Sequence, residues 1–143
     1  MRYMSAKVFI DTNVLVYAYD MDAGRKRQMA QKTLLSLRQE RSGALSMQVL
    51  QEFYSTVTRK LASPLPKDKA RLIVDRFAYW CVATTSEEIK RAFQIEDEAR
   101  IGFWDALIIA TAIRSGATRI LSEDLNPGQR IAGIQIENPF ALP

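Results

Sequence analysis

Four carboxylates in this chain are poorly explained as ordinary surface charge. Asp11 closes the short apolar run Lys7-Val8-Phe9-Ile10 and is followed at once by Thr12 and Asn13. That tripeptide suits two tasks: capping a following helix, or presenting an oxygen ligand from a strand end. Asp105 stands near the start of FWDALIIATAI, a segment apolar almost all the way round. An ionised carboxylate taken out of water is costly unless it is paired or metal-bound. A helix N-terminus returns only ~0.3–1 kcal/mol of that cost. A capping role for Asp105 therefore explains less than a site opening at that helix end. Asp124 follows Ser122 and Glu123 out of a short apolar run, and it also begins the turn-rich Asp124-Leu125-Asn126-Pro127-Gly128. Glu52 lies away from the Leu50–Phe53–Tyr54–Val57–Leu61 stripe of its helix. Packing does not account for it; plain solvent exposure or a site would.

The rest of the composition narrows what such acids could do. The 143 residues include no histidine and one cysteine, Cys81. Ser-His-Asp and Cys-His nucleophilic catalysis, imidazole metal ligation and structural zinc are all excluded. A carboxylate cluster repels itself unless a cation is present, and without nitrogen or sulfur ligands the fitting cation is hard: Mg²⁺ or Mn²⁺. Mg²⁺ is commonly held by one or two carboxylates plus waters and substrate phosphates, so a phosphate ester is the expected substrate. The charge balance agrees. With these four acids set aside, 12 remain against 20 lysines and arginines. A carboxylate pocket in a basic surface suits a nuclease. The basic residues concentrate at 21–41, with Arg25, Lys26 and Arg27, and at 59–76, beginning with Arg59 and Lys60. Each cluster reads either as a path for a phosphate backbone or as a solvated helix face.

The elements that must position these residues follow from the hydrophobic pattern. Strands are expected at Lys7–Ile10, 43–46, 81–84, 119–122 and 134–136. Helices are expected from residue 13 to 19, from Gly24 to Leu37, over 47–61, from beyond Pro66 to Trp80, after a cap at Thr85 or Ser86, and over Phe103–Ser115. Short strands alternating with helices indicate one α/β domain, 1–143, with a parallel sheet and helices on both faces. In such sheets ligands bind beyond the strand carboxyl ends. Two of the four acids follow strands and two lie near helix starts, so all four are expected at that edge. Trp104 and Tyr54 are assigned to the core, with stacking on a base as the alternative. The lone cysteine points to a reducing, cytoplasmic setting, and no run is long and apolar enough for a membrane span. The opening MRYMSAKVFIDTN is too short and too charged for a signal peptide.

At this point the motifs resemble a known family. VFIDTNVLVYAYD, SMQVLQEFY, FWDALIIATA and ILSEDL, in that order, resemble the four motifs of the PIN-domain ribonucleases, in particular the VapC-type toxins of toxin–antitoxin pairs; the closing IENPF also resembles these proteins. The resemblance implies Asp11, Asp105 and Asp124 as metal ligands, Glu52 as a further catalytic acid, and Thr12, Asn13 and Ser122 as their supports. It also implies a three-layer α/β/α domain around a mostly parallel sheet of about five short strands. The implied activity is a Mg²⁺- or Mn²⁺-dependent endoribonuclease, a hydrolase acting on an RNA such as tRNA, in a homodimer inhibited by an antitoxin protein. The chain departs from the family pattern at Pro127-Gly128, and Glu123 beside Asp124 leaves open which acid faces the metal; spacing from Ser122 favours Asp124. Two other readings are a PIN-type nuclease with a housekeeping RNA or DNA substrate and no antitoxin, and an inactive nucleic-acid-binding domain. The presence of all four acids argues against the last.

Overall fold

The computed structural model describes residues 6–141. The elements, in chain order, are β1 (Lys7–Ile10), α1 (Thr12–Tyr19), α2 (Arg25–Glu40), β2 (Gly43–Ser46), α3 (Met47–Arg59), α4 (Lys67–Phe77), β3 (Cys81–Val82), α5 (Ser86–Ala99), α6 (Phe103–Arg114), β4 (Ala117–Leu121), β5 (Arg130–Ile131) and β6 (Ile134–Glu137). The strands form one sheet in the order β3-β2-β1-β4-β6-β5, parallel except for the last pair.

Handedness places the helices. The connections from β1 to β2 and from β2 to β3 step the same way along the sheet, so right-handed crossovers lay α1–α4 on one face. The connection from β3 to β4 steps back across β2 and β1 and lays α5 and α6 on the other. Packing follows this division: α1 meets α2 and α3, α3 meets α4, and α5 pairs with α6. The result is the expected α/β/α arrangement. Its core is Phe9, Ile10, Leu15, Leu45, Phe53, Ile95, Ile109, Ile120 and Ile136, all essentially inaccessible. Every residue of α6 from Ala106 to Ala112 is buried, as its all-round apolar sequence requires.

Several boundaries differ from the sequence expectation. The fourth helix ends at Phe77 and a single 3₁₀ turn, Ala78–Trp80, completes the run. This turn sets Trp80 flat against the start of β2, where a β-carbon on Gly43 would stand 2.4 Å from the indole ring. The strand expected at 81–84 pairs only over Cys81–Val82. Among the described residues the sheet has six strands rather than about five. The added one, β5, turns back antiparallel to β6 through Ala132 and Gly133, both at positive φ. Thr85, rather than Ser86, caps α5 in a reciprocal capping box with Glu88.

Strand order reverses at β1. The chain leaves it toward β2 and returns on the other side as β4, so the crevice at the carboxyl ends of β1 and β4 is the switch point of the sheet. The register aligns Ile10 with Leu121, and the Asp11 N–H donates to the Leu121 carbonyl at 3.0 Å. Asp11 and the Ser122–Asp124 segment therefore emerge side by side.

Candidate active site

Each acid reaches this crevice by a different local route. Asp11 is the N-cap of α1, and its Oδ1 accepts from the Thr12 N–H at 2.8 Å. Glu52 projects from α3, whose entry is fixed by the Ser46 hydroxyl accepting from Val49 N–H at 3.2 Å and whose opposite side buries Val49, Leu50, Phe53 and Val57. Asp105 lies in the first turn of α6, and Asp124 follows β4 on a loop. Asp11, Glu52, Asp105 and Asp124 all line one cleft of about 520 Å³, together with Thr12, Asn13, Lys60 and Trp104.

The supporting residues of the sequence reading each hold one acid. The Ser122 hydroxyl, itself fully buried, donates to Asp11 Oδ2 at 2.8 Å and accepts from the Asp124 and Leu125 N–H groups at 3.2 Å each. The Thr12 hydroxyl donates to Glu52 Oε2 at 2.8 Å. The Asn13 amide donates to Asp124 Oδ2 at 2.7 Å. Residues that follow β1 and β4 thus orient side chains separated from them by 40 to 111 positions in the chain. Sequence reasoning missed Gln48, whose amide donates to Glu52 Oε1 at 3.0 Å, and also Gln51, Ser55 and Thr56 on the cleft wall. Gln48, Ser55 and Thr56 stand one helical turn from Glu52, so helical spacing from that acid was the signal.

Glu123 and Asp124 part company in the structure. Asp124 lines the cleft. Glu123 turns toward α1 and α2, where it accepts from the Tyr17 hydroxyl at 2.6 Å and from Lys26 Nζ at 2.5 Å. The Lys26 ammonium also lies over the Tyr17 ring, 5.0 Å from its centroid. Lys26 is therefore engaged with an acid rather than presented to a phosphate. Of the other basic residues singled out, Lys60 lines the cleft, Arg25 and Arg59 are exposed outside it, and Arg27 is half-buried. The core assignment holds for Tyr54, which packs against the core and accepts from Arg71 Nε at 3.2 Å. It fails for Trp104, which lies in the first turn of α6, ahead of the buried run Ala106–Ala112, and is 65% exposed in the cleft.

Crowding of like charge marks the site. Burial pushes the Asp11 carboxyl up to about 6; the Asp124 and Asp105 charges add to this, and the hydrogen bonds from Ser122 and Thr12 oppose it. Burial also raises Asp105, reinforced by Asp124 and Glu52. Among the described residues no three acids are drawn together into a ready-made metal cage. The donor chemistry nonetheless fits a hard cation: carboxylate oxygens alone, one of them buried and destabilised as an anion, around a cleft roomy enough for metal-bound water.

The PIN domain family matches residues 8–133, a span that holds all four acids and every support named above. This chain belongs to the PIN domain family. No curated protein matches it by sequence. Solved structures share the fold of this PIN domain at low identity. One is a toxin–antitoxin complex from Klebsiella pneumoniae, with 17% identity, TM-score 0.70, and coverage of 95% of this chain and 100% of the other. A second is DNA-bound VapBC from Salmonella typhimurium, with 20% identity, TM-score 0.66, and coverage of 94% and 99%. A third is the sarcin–ricin-loop-cleaving toxin VapC20 of Mycobacterium tuberculosis, with 16% identity, TM-score 0.60, and coverage of 82% and 90%. Among the described residues of the PIN domain no helix is long and apolar enough to cross a membrane.

Proposed function

We propose that this PIN domain is a metal-dependent endoribonuclease and the toxin of a toxin–antitoxin pair. The observation that carries the reading is the convergence of Asp11, Glu52, Asp105 and Asp124 on one cleft at the switch point. Structural likeness to toxin–antitoxin complexes and to an RNA-cleaving toxin supports it. Asp11, Asp105 and Asp124 are the residues to hold Mg²⁺ or Mn²⁺, directly or through water. The bound ion supplies an activated water and offsets charge on the scissile phosphate. The protein's own contribution is orientation. Ser122 and Thr12 N–H fix both oxygens of Asp11, and Asn13 fixes Asp124. Glu52, held at both oxygens by Thr12 and Gln48, is aimed to position the attacking water or accept its proton. Lys60, on the same cleft, offers a cation to the RNA backbone.

The setting we propose is cytoplasmic, with a homodimeric toxin neutralised by an antitoxin encoded beside it. The test is direct. Purified protein is incubated with RNA in Mg²⁺ and in chelator, and the fragments are sequenced. Recurrent cut positions that vanish with chelator support the reading; intact RNA under both conditions contradicts it. Co-expression with a small upstream reading frame should abolish cleavage and yield a co-purifying complex.

A further inference from the structure

The cleft is lined by three kinds of side chain: the four carboxylates; polar residues of α3 together with its C-cap Lys60; and the apolar Trp104 and Ile108, which flank Asp105 on α6. Trp104 is 65% exposed, although an indole of that size normally seeks cover. Its ring has aromatic neighbours: Phe103 meets it edge-on, with centroids 5.2 Å apart and planes at 73°, and Phe93, itself 50% exposed, lies 5.8 Å from Phe103. An exposed aromatic face that shares one cleft with a lysine and four acids matches a nucleotide, which brings a flat base, an anionic phosphate and a hydroxylated sugar together.

We infer that Trp104 is a base-stacking platform, so that the strand cut in this cleft enters with an unpaired base laid on the indole. The inference rests on the nuclease reading above and adds to it the residue that takes up the base. Bases inside an A-form helix are stacked on each other and present only their edges, whereas a splayed base offers its face. Stacking needs no particular base, because every base has a π-face. A second copy of the chain is the competing occupant of this wall. Covering Trp104 with protein would also cover Asp105 and Asp124 on the same cleft, leaving carboxylates desolvated without partners, which is unfavourable.

The two tryptophans make the test specific, since Trp80 is buried at 6% exposure and Trp104 is open. The full-length protein in chelator, where the strand is not cut, is titrated with a short single-stranded RNA oligonucleotide and with its duplex. Single strand should quench tryptophan emission, and duplex should not. Trp104→Phe should remove the quenching while keeping affinity, since a phenyl ring still stacks. Trp104→Ala, with its fold checked by circular dichroism, should weaken single-strand binding roughly 5- to 150-fold and leave duplex binding unchanged. Wild-type affinity in Trp104→Ala would overturn the inference. So would dissociation of a wild-type dimer to monomer in that variant, seen by sedimentation, because the wall would then belong to a second copy. Quenching and lost affinity in a protein that never cuts RNA in Mg²⁺ would refute the nuclease reading and leave the platform standing. Mg²⁺-dependent cutting with no effect of Trp104→Ala would do the reverse.

Discussion

A carboxylate in water is unremarkable; four around one crevice need a reason to stay. Asp105 shows this most clearly. Burial and the neighbouring charges of Asp124 and Glu52 raise it, and among the described residues no hydrogen bond holds it. Asn at this position removes charge without changing shape. Asp105→Asn should melt at the same or a higher temperature than wild type in the absence of divalent metal, because repulsion is relieved. It should also cut RNA at least ~10²-fold more slowly, a loss comparable to removing one preorganised electrostatic group from an active site. Thermal melts in chelator and single-turnover cleavage in Mg²⁺ check both halves. Normal cleavage by the variant would remove Asp105 from the site. At this scale the sequence was most legible. Asp11, Glu52, Asp105 and Asp124 stood out because helix packing and surface averages left them unexplained. What it did not show were the pairings. Spacing from Ser122 already favoured Asp124 over Glu123 for the cleft, but Glu123 meets Lys26 across 97 positions, so the loss of Lys26 as a free cation was not visible before the fold.

Elements carry the site by where they end. The buried α6 positions its first turn at the crevice, and α6 is held in turn by α5, whose start is locked by Thr85 and Glu88 and tied to α6 through Arg114 at 3.1 Å. Burial pushes the Glu88 carboxyl up, but hydrogen bonds from the Thr85 N–H and hydroxyl, with the Arg114 charge, outweigh it and hold Glu88 below the ordinary carboxylate range. A lowered acid contributes stability above its ordinary pKa and loses it as pH falls through the folded value. Glu88→Gln keeps an oxygen for the Thr85 N–H but does not titrate. Its urea midpoint should therefore fall less than that of wild type as pH is lowered below about 4.5. Equal falls would mean the capping box is not charged. Helix and strand identities were legible wherever a run was long enough to show its period. The two-residue β5 was not, since two residues have no period. Its turn gave only Gly133 as a signal, with Ala132 in a backbone conformation that favours glycine. Trp104 misled for a related reason. The apolar pattern of its helix continues into a first turn that lies outside the buried run Ala106–Ala112.

Across the whole molecule, charge and topology point the same way. The sheet gathers the acids at one switch point, while the surplus of basic residues lies elsewhere. The sequence suggested two equivalent basic clusters, but the fold distinguishes them: Lys60 lines the cleft, and Lys26 is paired. Lys60→Ser should lower the slope of log affinity against log salt for single-stranded RNA by about 0.7. Lys26→Ser should change it less. Titrations at several salt concentrations in chelator check this, and a larger effect at Lys26 would place the RNA path along α2 instead.

If Asp11, Asp105 and Asp124 hold a divalent metal in this cleft, manganese-soaked crystals measured at the manganese absorption edge will show it. The predicted result is anomalous density in the cleft, with carboxylate oxygens of at least Asp11 or Asp105 near the ~2.0–2.1 Å typical of Mg²⁺ ligation and only slightly longer for manganese, and its loss in Asp105→Asn. Density confined to other carboxylates, or a cleft empty at saturating manganese, would contradict the account.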